Sequence, residues 1–139
     1  MSDPIKHECG VAFLRLRKPL EFYKEKYGTE LYGLKNLKML MNKQLNRGQD
    51  GSGLAVIKLD PEYGSRYIAR ERAIGDGAVS ALFERVNKRY ESLDQEKAQD
   101  TKWLKKKFPY AGEVLLGHLR YATHGKNSIE NIHPFLRQN

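Results

Sequence analysis

Val114, Leu115, Leu116 and Leu119 form an apolar run of the kind a buried strand needs, and it gives way to Arg120, Thr123, His124 and Gly125. A buried strand ending in such a cluster fixes where a sheet stops and where polar side chains gather, so it constrains the chain more than any other stretch. A guanidinium at a strand end presents a planar fork of donors that matches a carboxylate at two points. A hydroxyl and an imidazole beside it can bond the rest of a small polar molecule. The segment Gly117–Phe135 therefore reads as a carboxylate-recognising pocket.

The remaining elements are placed around that strand. Val11, Phe13, Leu14 and Leu16 read as a strand of about six residues with Cys9 at its start. Lys18–Gly28 is polar and aromatic without clean periodicity and reads as an irregular excursion. Leu31, Leu34, Leu37, Met41 and Leu45 recur at three- and four-residue steps, which puts one apolar stripe on a helix, and Gly48 is placed to end it. Gly48, Gly51 and Gly53 then interleave with Arg47, Gln49, Asp50 and Ser52 before a strand at Leu54–Leu59. Glycines so placed let the backbone turn tightly and approach another segment closely. The run lacks the Gly-Lys-Ser/Thr ending of a phosphate-cradling loop and goes from helix to strand, the reverse of that loop's order.

Asp60, Pro61 and Gly64 form a turn that pairs Leu54–Leu59 with Arg66–Arg70 as a hairpin. After the break at Gly75-Asp76-Gly77, Val79, Leu82, Phe83, Val86, Tyr90 and Leu93 mark a second amphipathic helix. Gln95–Lys107 reads as a further polar helix carrying Trp103, and Pro109–Gly112 turns the chain into the buried strand at Val114–Leu119. The order is strand, helix, two strands, helix, strand, which fits a mixed layered domain.

With 139 residues, 40% apolar and 30% charged, the chain is one domain at most and can bury a real core. Its single cysteine, Cys9, excludes an internal disulfide and fits a reducing compartment. No apolar run approaches the roughly 20 residues of a membrane span, and the polar MSDPIKHE start is unlike a secretion signal, so a cytoplasmic location is expected. The formal charge of +8 would suit a polyanionic partner. Lys102, Lys105, Lys106 and Lys107 carry much of it with no nucleic-acid module around them, and a solvated or contact face is the preferred reading. Neither nucleic acid nor membrane is expected as a partner. His7 and His133 have no ligand spacing with Cys9 or the acids, so no metal site is expected. A lone thiol is either a small buried hydrophobe or a nucleophile, and His118, on a buried-looking strand, reads as a satisfied core histidine.

Three ordered segments, Cys9-Gly10-Val11, the RGQDGSG run at Arg47–Gly53, and GHLRYATHG followed by ENIHPF, together resemble the glutaminase domain of the class II, N-terminal-nucleophile glutamine amidotransferases. The Arg-Gly-Gln-Asp run and the Ser-x-Glu-Asn-x-x-Pro-Phe run at Ser128–Phe135 look most like the amidophosphoribosyltransferase branch. The Thr123-His124-Gly125 triplet looks more like the glucosamine-6-phosphate synthase branch. The resemblance implies an α+β fold, the N-terminal portion of the Ntn-hydrolase-like four-layer αββα sandwich.

It also implies roles. Cys9 would attack the side-chain amide of glutamine and release ammonia for an acceptor bound by a second domain. Arg120 would clamp the substrate α-carboxylate, with Thr123 and His124 lining the same pocket. Arg47, Gly48, Gln49 and Asp50 would shape the loop beside the nucleophile; Asp50 can equally cap a turn, and His124 can equally only support its loop. Because this chemistry uses the α-amine of the nucleophile, Met1–Glu8 is expected to be a propeptide removed by self-processing, and residues 9–139 the N-terminal part of the domain. The family's Asn-Gly oxyanion pair and later amine-binding Asp have no counterpart in these letters, so this segment alone is expected to be inactive. No cofactor is expected here, any Mg2+ and phosphoribosyl diphosphate being assigned to a further transferase domain of a homo-oligomeric enzyme of purine synthesis. The alternatives are a class II amidotransferase with a sugar-phosphate acceptor, or a catalytically dead regulatory or nucleic-acid-binding relative. The polar excursions at Lys18–Gly28 and Gln95–Lys107 look like insertions relative to the compact family domain.

Overall fold

The computed structural model describes residues 8–47, 50–122 and 128–137. Strands β1 (Gly10–Arg15), β2 (Gly51–Ile57), β3 (Ile68–Ile74) and β4 (Val114–Arg120) form one antiparallel sheet in the order β1-β4-β2-β3. Helices α1 (Leu20–Tyr27), α2 (Tyr32–Asn42), α3 (Ala78–Glu91) and α4 (Thr101–Lys107) complete the described elements, with short 3-10 turns at Leu45–Arg47, Lys97–Gln99 and Ile129–Asn131. The class is α+β. The described residues supply one helical layer and one sheet layer, an arrangement compatible with half of a four-layer Ntn-like sandwich. No described helix is long and apolar enough to cross a membrane.

The register assigns the two faces of the sheet. Gly10 opposes Leu119 and Ala12 opposes Gly117, while Ser52, Leu54 and Val56 oppose Leu119, Gly117 and Leu115. These residues share the face on which α2 packs over β1 and β4, and α3 over β2 and β3. Leu37, Met41, Leu54, Leu82, Leu115 and Leu119 are fully buried between the layers. The other face carries Val11, Phe13, Leu116, His118, Arg120, Gly51, Gly53, Arg70 and Arg72, and part of it is covered by residues 131–134. Val11 and Phe13 remain more than half exposed.

Four boundaries differ from the sequence-based expectations, each for a local reason. Lys18–Gly28 is not irregular: Leu20–Tyr27 is a helix entered from Pro19 and left through Gly28 in the left-handed conformation. It buries only Leu20 and Tyr23, and its remaining anchor is a stack of Tyr23, Tyr27 and Tyr32 with ring centroids 4.2–6.2 Å apart. That aromatic anchor leaves no apolar period to read.

The long helical stripe stops at Asn42, well short of Gly48. The Lys43 N–H bonds back to Met39 O and the Gln44 N–H to Met41 O, Leu45 emerges exposed in a 3-10 turn, and Gly48 lies outside the described residues. The hairpin is present but longer and shifted, Gly51–Ile57 on Ile68–Ile74. Its turn has Asp60 and Gly64 at positive φ and is closed by Lys58 N–H on Tyr67 O at 2.7 Å. Gln95–Lys107 is broken where Asp100 leaves the helical region and its carboxylate caps the amides of Lys102 and Trp103, starting α4 afresh.

The lysine-rich end of α4 is largely engaged within the fold. Lys105 Nζ meets the buried Glu113 at 2.5 Å, Glu113 also accepts the Leu59 N–H at 2.9 Å, and Lys106 pairs with Glu62 at 2.8 Å. Beneath them Lys58 is buried, and its pKa is lowered by burial first and by Lys105 second.

Strand β4 is seated on α2, where Leu37 and Met41 lie against Gly117. Leu37→Ala should lower unfolding stability by about 3 kcal/mol, read as a shift in denaturant midpoint at unchanged m-value, because the site is closed on all sides.

Candidate functional site

The end of the β1/β4 pair gathers the sequence-derived candidates. Cys9 and Arg120 each lie one residue beyond the Gly10–Leu119 pair. The Tyr121 N–H donates to Cys9 Sγ at 3.4 Å and the thiol points back to Tyr121 O at 3.7 Å. The thiol is thus exposed, not a buried hydrophobe, and is held against the residue next to Arg120.

Behind it, Gly10 brings the backbone up to the 3-10 turn. A Cβ at this position would lie 2.8 Å from Gln44 Oε1 and 3.2 Å from Arg47 Cβ. Gln44 also donates from Nε2 to Val11 O at 3.4 Å. Arg47 therefore borders the strand that begins beside Cys9. Gln44 does so too, although it follows the helical stripe without any motif to single it out.

Asp50 is anchored on three sides. Its N–H donates to Arg120 O at 3.0 Å, its C=O accepts from Gly75 N–H at 2.9 Å, and its carboxylate Oδ2 accepts the Ala122 N–H at 2.8 Å. This carboxylate caps the chain as it leaves β4, the structural role its position allowed. Gly48, Gln49, Thr123 and His124 lie outside the described residues, as do Met1–His7 of the expected propeptide.

Arg120 points across the open face, where its Nη1 donates to Asn131 O. The same stretch is met by Arg72 Nη1 on Ile132 O at 3.3 Å and by Arg70 Nη1 on Pro134 O at 3.4 Å. Residues 132–134 lie directly on two glycines of the Arg47–Gly53 run: a Cβ on Gly53 would sit 1.8 Å from His133 O, and one on Gly51 would sit 2.5 Å from Ile132 Cδ1. The close approach expected of those glycines is made by the ENIHPF segment. Ile132, fully buried, is the apolar plug of this crossing.

His118 faces the same crossing and differs from a satisfied core histidine. It is 7% exposed, its ring meets His133 edge-on at 4.7 Å, and its Nδ1 has no hydrogen-bond partner among the described residues. Burial first, then His133 and Arg120, hold its pKa down at about 4, so the imidazole is neutral at pH 7. Its backbone carbonyl accepts the buried Ser52 hydroxyl at 2.7 Å, which ties β4 to β2. Among the described residues no three His, Cys, Asp or Glu side chains come together where they could hold a metal ion.

Chemically, the arrangement offers an exposed thiol bonded to the Tyr121 backbone and, on the preceding residue, a strand-end guanidinium whose Nη1 donates to a backbone carbonyl. No family model matches the chain, and no solved structure matches it. A stretch of 93 residues, 67% of this chain, is 33% identical to the glutamine–fructose-6-phosphate aminotransferase (isomerizing) of Buchnera aphidicola subsp. Acyrthosiphon pisum (strain APS). The match spans 11% of that relative's length. The likeness supports a class II glutamine amidotransferase domain in this chain.

Two outcomes test the site's construction. Gly53→Ala should cost at least about 2 kcal/mol in chemical denaturation, because the obstructing atom is a backbone carbonyl that no rotamer can move. The second concerns pH. Between about pH 6.5 and pH 4 the unfolded chain protonates His118 while the folded chain does not, so stability should fall as pH drops through this window. The fall is roughly 2 kcal/mol from pH 7 to pH 5, and His118→Leu should remove that part of the slope.

Proposed function

We propose that residues 9–139 form the N-terminal part of a glutamine-hydrolysing domain of a class II amidotransferase, with Cys9 as nucleophile and Arg120 as the α-carboxylate clamp. The observation that carries this reading is the pairing at the end of β1 and β4: the thiol bonds Tyr121, and Tyr121 adjoins the guanidinium-bearing residue. One amino-acid substrate can then be gripped at its acid end and attacked at its side chain.

In the proposed reaction the Cys9 α-amine takes the thiol proton, directly or through a water. The thiolate adds to the amide carbon of glutamine, the ammonium so formed protonates the leaving nitrogen, and ammonia departs to leave a thioester. Water then cleaves the thioester, releasing glutamate and restoring the thiol. This scheme requires Cys9 to be the first residue, so removal of Met1–Glu8 is part of the proposal. Thr123 and His124, outside the described residues, are assigned to the wall of the same pocket. Arg47 to Asp50 are assigned to the supporting loop, with the Asp50 carboxylate holding the Ala122 amide in place.

For the acceptor of the ammonia, the relative's name favours a sugar phosphate. The phosphoribosyl diphosphate reading rests on the Arg47–Asp50 and Ser128–Phe135 runs alone and has no support from that relative. In the full-length protein, mass spectrometry should find an N-terminus at Cys9, and Cys9→Ala should abolish glutamine hydrolysis. Hydrolysis retained in that variant would remove the thiol from the mechanism. Ammonia transfer to fructose 6-phosphate but not to phosphoribosyl diphosphate would decide the acceptor, and the opposite result would reverse it.

A further inference from the structure

The three arginines on the open face of the sheet share one target. Arg120 at the end of β4 and Arg70 and Arg72 on β3 flank Gly53, which pairs with Arg72 in the register, and each donates to a main-chain carbonyl of a single four-residue stretch. No carboxylate pairs with Arg70 or Arg72 among the described residues, and the two cations repel one another. Half-buried guanidiniums compensated only by carbonyl dipoles, where a glutamate would bind more strongly, make poor stabilising elements. What they do well is fix a carbonyl in space. Ile132 plugs the surface over Gly51, its own carbonyl is held by Arg72, and the next fixed carbonyl, that of Pro134, is held by Arg70. The peptide directly before Ile132 carries the carbonyl that receives Arg120.

We propose that Arg72, seconded by Arg70, is a positioning residue for glutamine recognition: by immobilising residues 132–134 it sets the Asn131 carbonyl that orients the guanidinium of Arg120. The proposal rests on the reading of Cys9 and Arg120 given above. A long side chain at a strand end has many rotamers, and binding a carboxylate through a two-point fork requires one of them. A fixed acceptor on Nη1 selects the plane of the fork before the ligand arrives, so less freedom is lost on binding. The α-carboxylate lies far from the reacting amide and is held equally in ground and transition states, so loss of this orientation raises KM and leaves kcat alone.

The test uses the full-length protein. Arg72→Met should raise KM for glutamine about tenfold, the loss of roughly one charge-assisted bond, with kcat within about twofold. Arg72→Lys, which can still donate one bond to the Ile132 carbonyl, should recover most of the difference, and Arg70→Met should give a smaller rise of about threefold. Alkylation of Cys9 by iodoacetamide, which has no carboxylate, should keep its rate in Arg72→Met, whereas inactivation by a diazoketone analogue of glutamine should slow about tenfold. An unchanged KM with a lowered melting temperature, or a loss in kcat or in iodoacetamide reactivity instead, would make these arginines structural and overturn the proposal. If the wild-type protein hydrolyses no glutamine, the reading of the site itself fails. A crystal structure of Arg72→Met then still decides the positioning role, since an Arg120 guanidinium left in place overturns it and a displaced one supports it.

Discussion

The main-chain crossing of His133 over Gly53 is the contact on which the rest of the site depends. A carbonyl oxygen occupies the space where any other residue at 53 would place its Cβ, so the segment after β4 can lie flat on the sheet at this point because residue 53 is glycine. Once it lies flat, Ile132 is buried, three arginines find carbonyls within reach, and the end of β4 acquires a roof. The two motifs, distant in the chain, are thus the two sides of one packed interface: glycines supply the depression and a short extended stretch fills it.

The second constraint acts at the other side of β4. Asp50 bonds the strand's last carbonyl and the amide two residues on, and Cys9 bonds Tyr121 between them. The chain leaving β4 is therefore held by a carboxylate from one neighbour and a thiol from the other. Charged and polar side chains here serve main-chain groups that the ending ladder leaves open, which is the usual demand at the end of a strand. A thiol placed by such bonds has a defined position without being buried.

Much of the fold was legible where side-chain period alone decides structure. The stripe from Val79 to Val86 indicates which face of α3 is buried, and the apolar run of β4 marks a strand of the sheet's interior, as its pairing with both β1 and β2 bears out. Helix α1 was not legible, because two buried residues and a tyrosine stack do not repeat with a helical period. Nor was the length of β3 legible, since Arg70 and Arg72 break the apolar alternation for the sake of carbonyls contributed by a later segment. Of the candidate site, the motifs singled out Cys9, Arg120, Arg47 and Asp50, but not what they touch. The bond between Cys9 and Tyr121 and the engagement of Arg120 on Asn131 depend on long-range closure that no local pattern encodes. Gln44 was invisible for the same reason: a glutamine after a helix means nothing until Gly10 is laid against it.

Strand β1 is hydrogen-bonded on one side only among the described residues, with β4 as its neighbour and its other edge unshared. A central strand would have its first residue flanked by two ladders, and freeing a terminal amine there would mean cutting into both. At the border of the sheet, new ionisable ends can be created by peptide cleavage without unzipping any inner pairing, and the resulting ammonium keeps an approach from water. The place of Cys9 at the start of an edge strand would therefore make the proposed removal of Met1–Glu8 a local event, separable from the assembly of the hydrophobic interior.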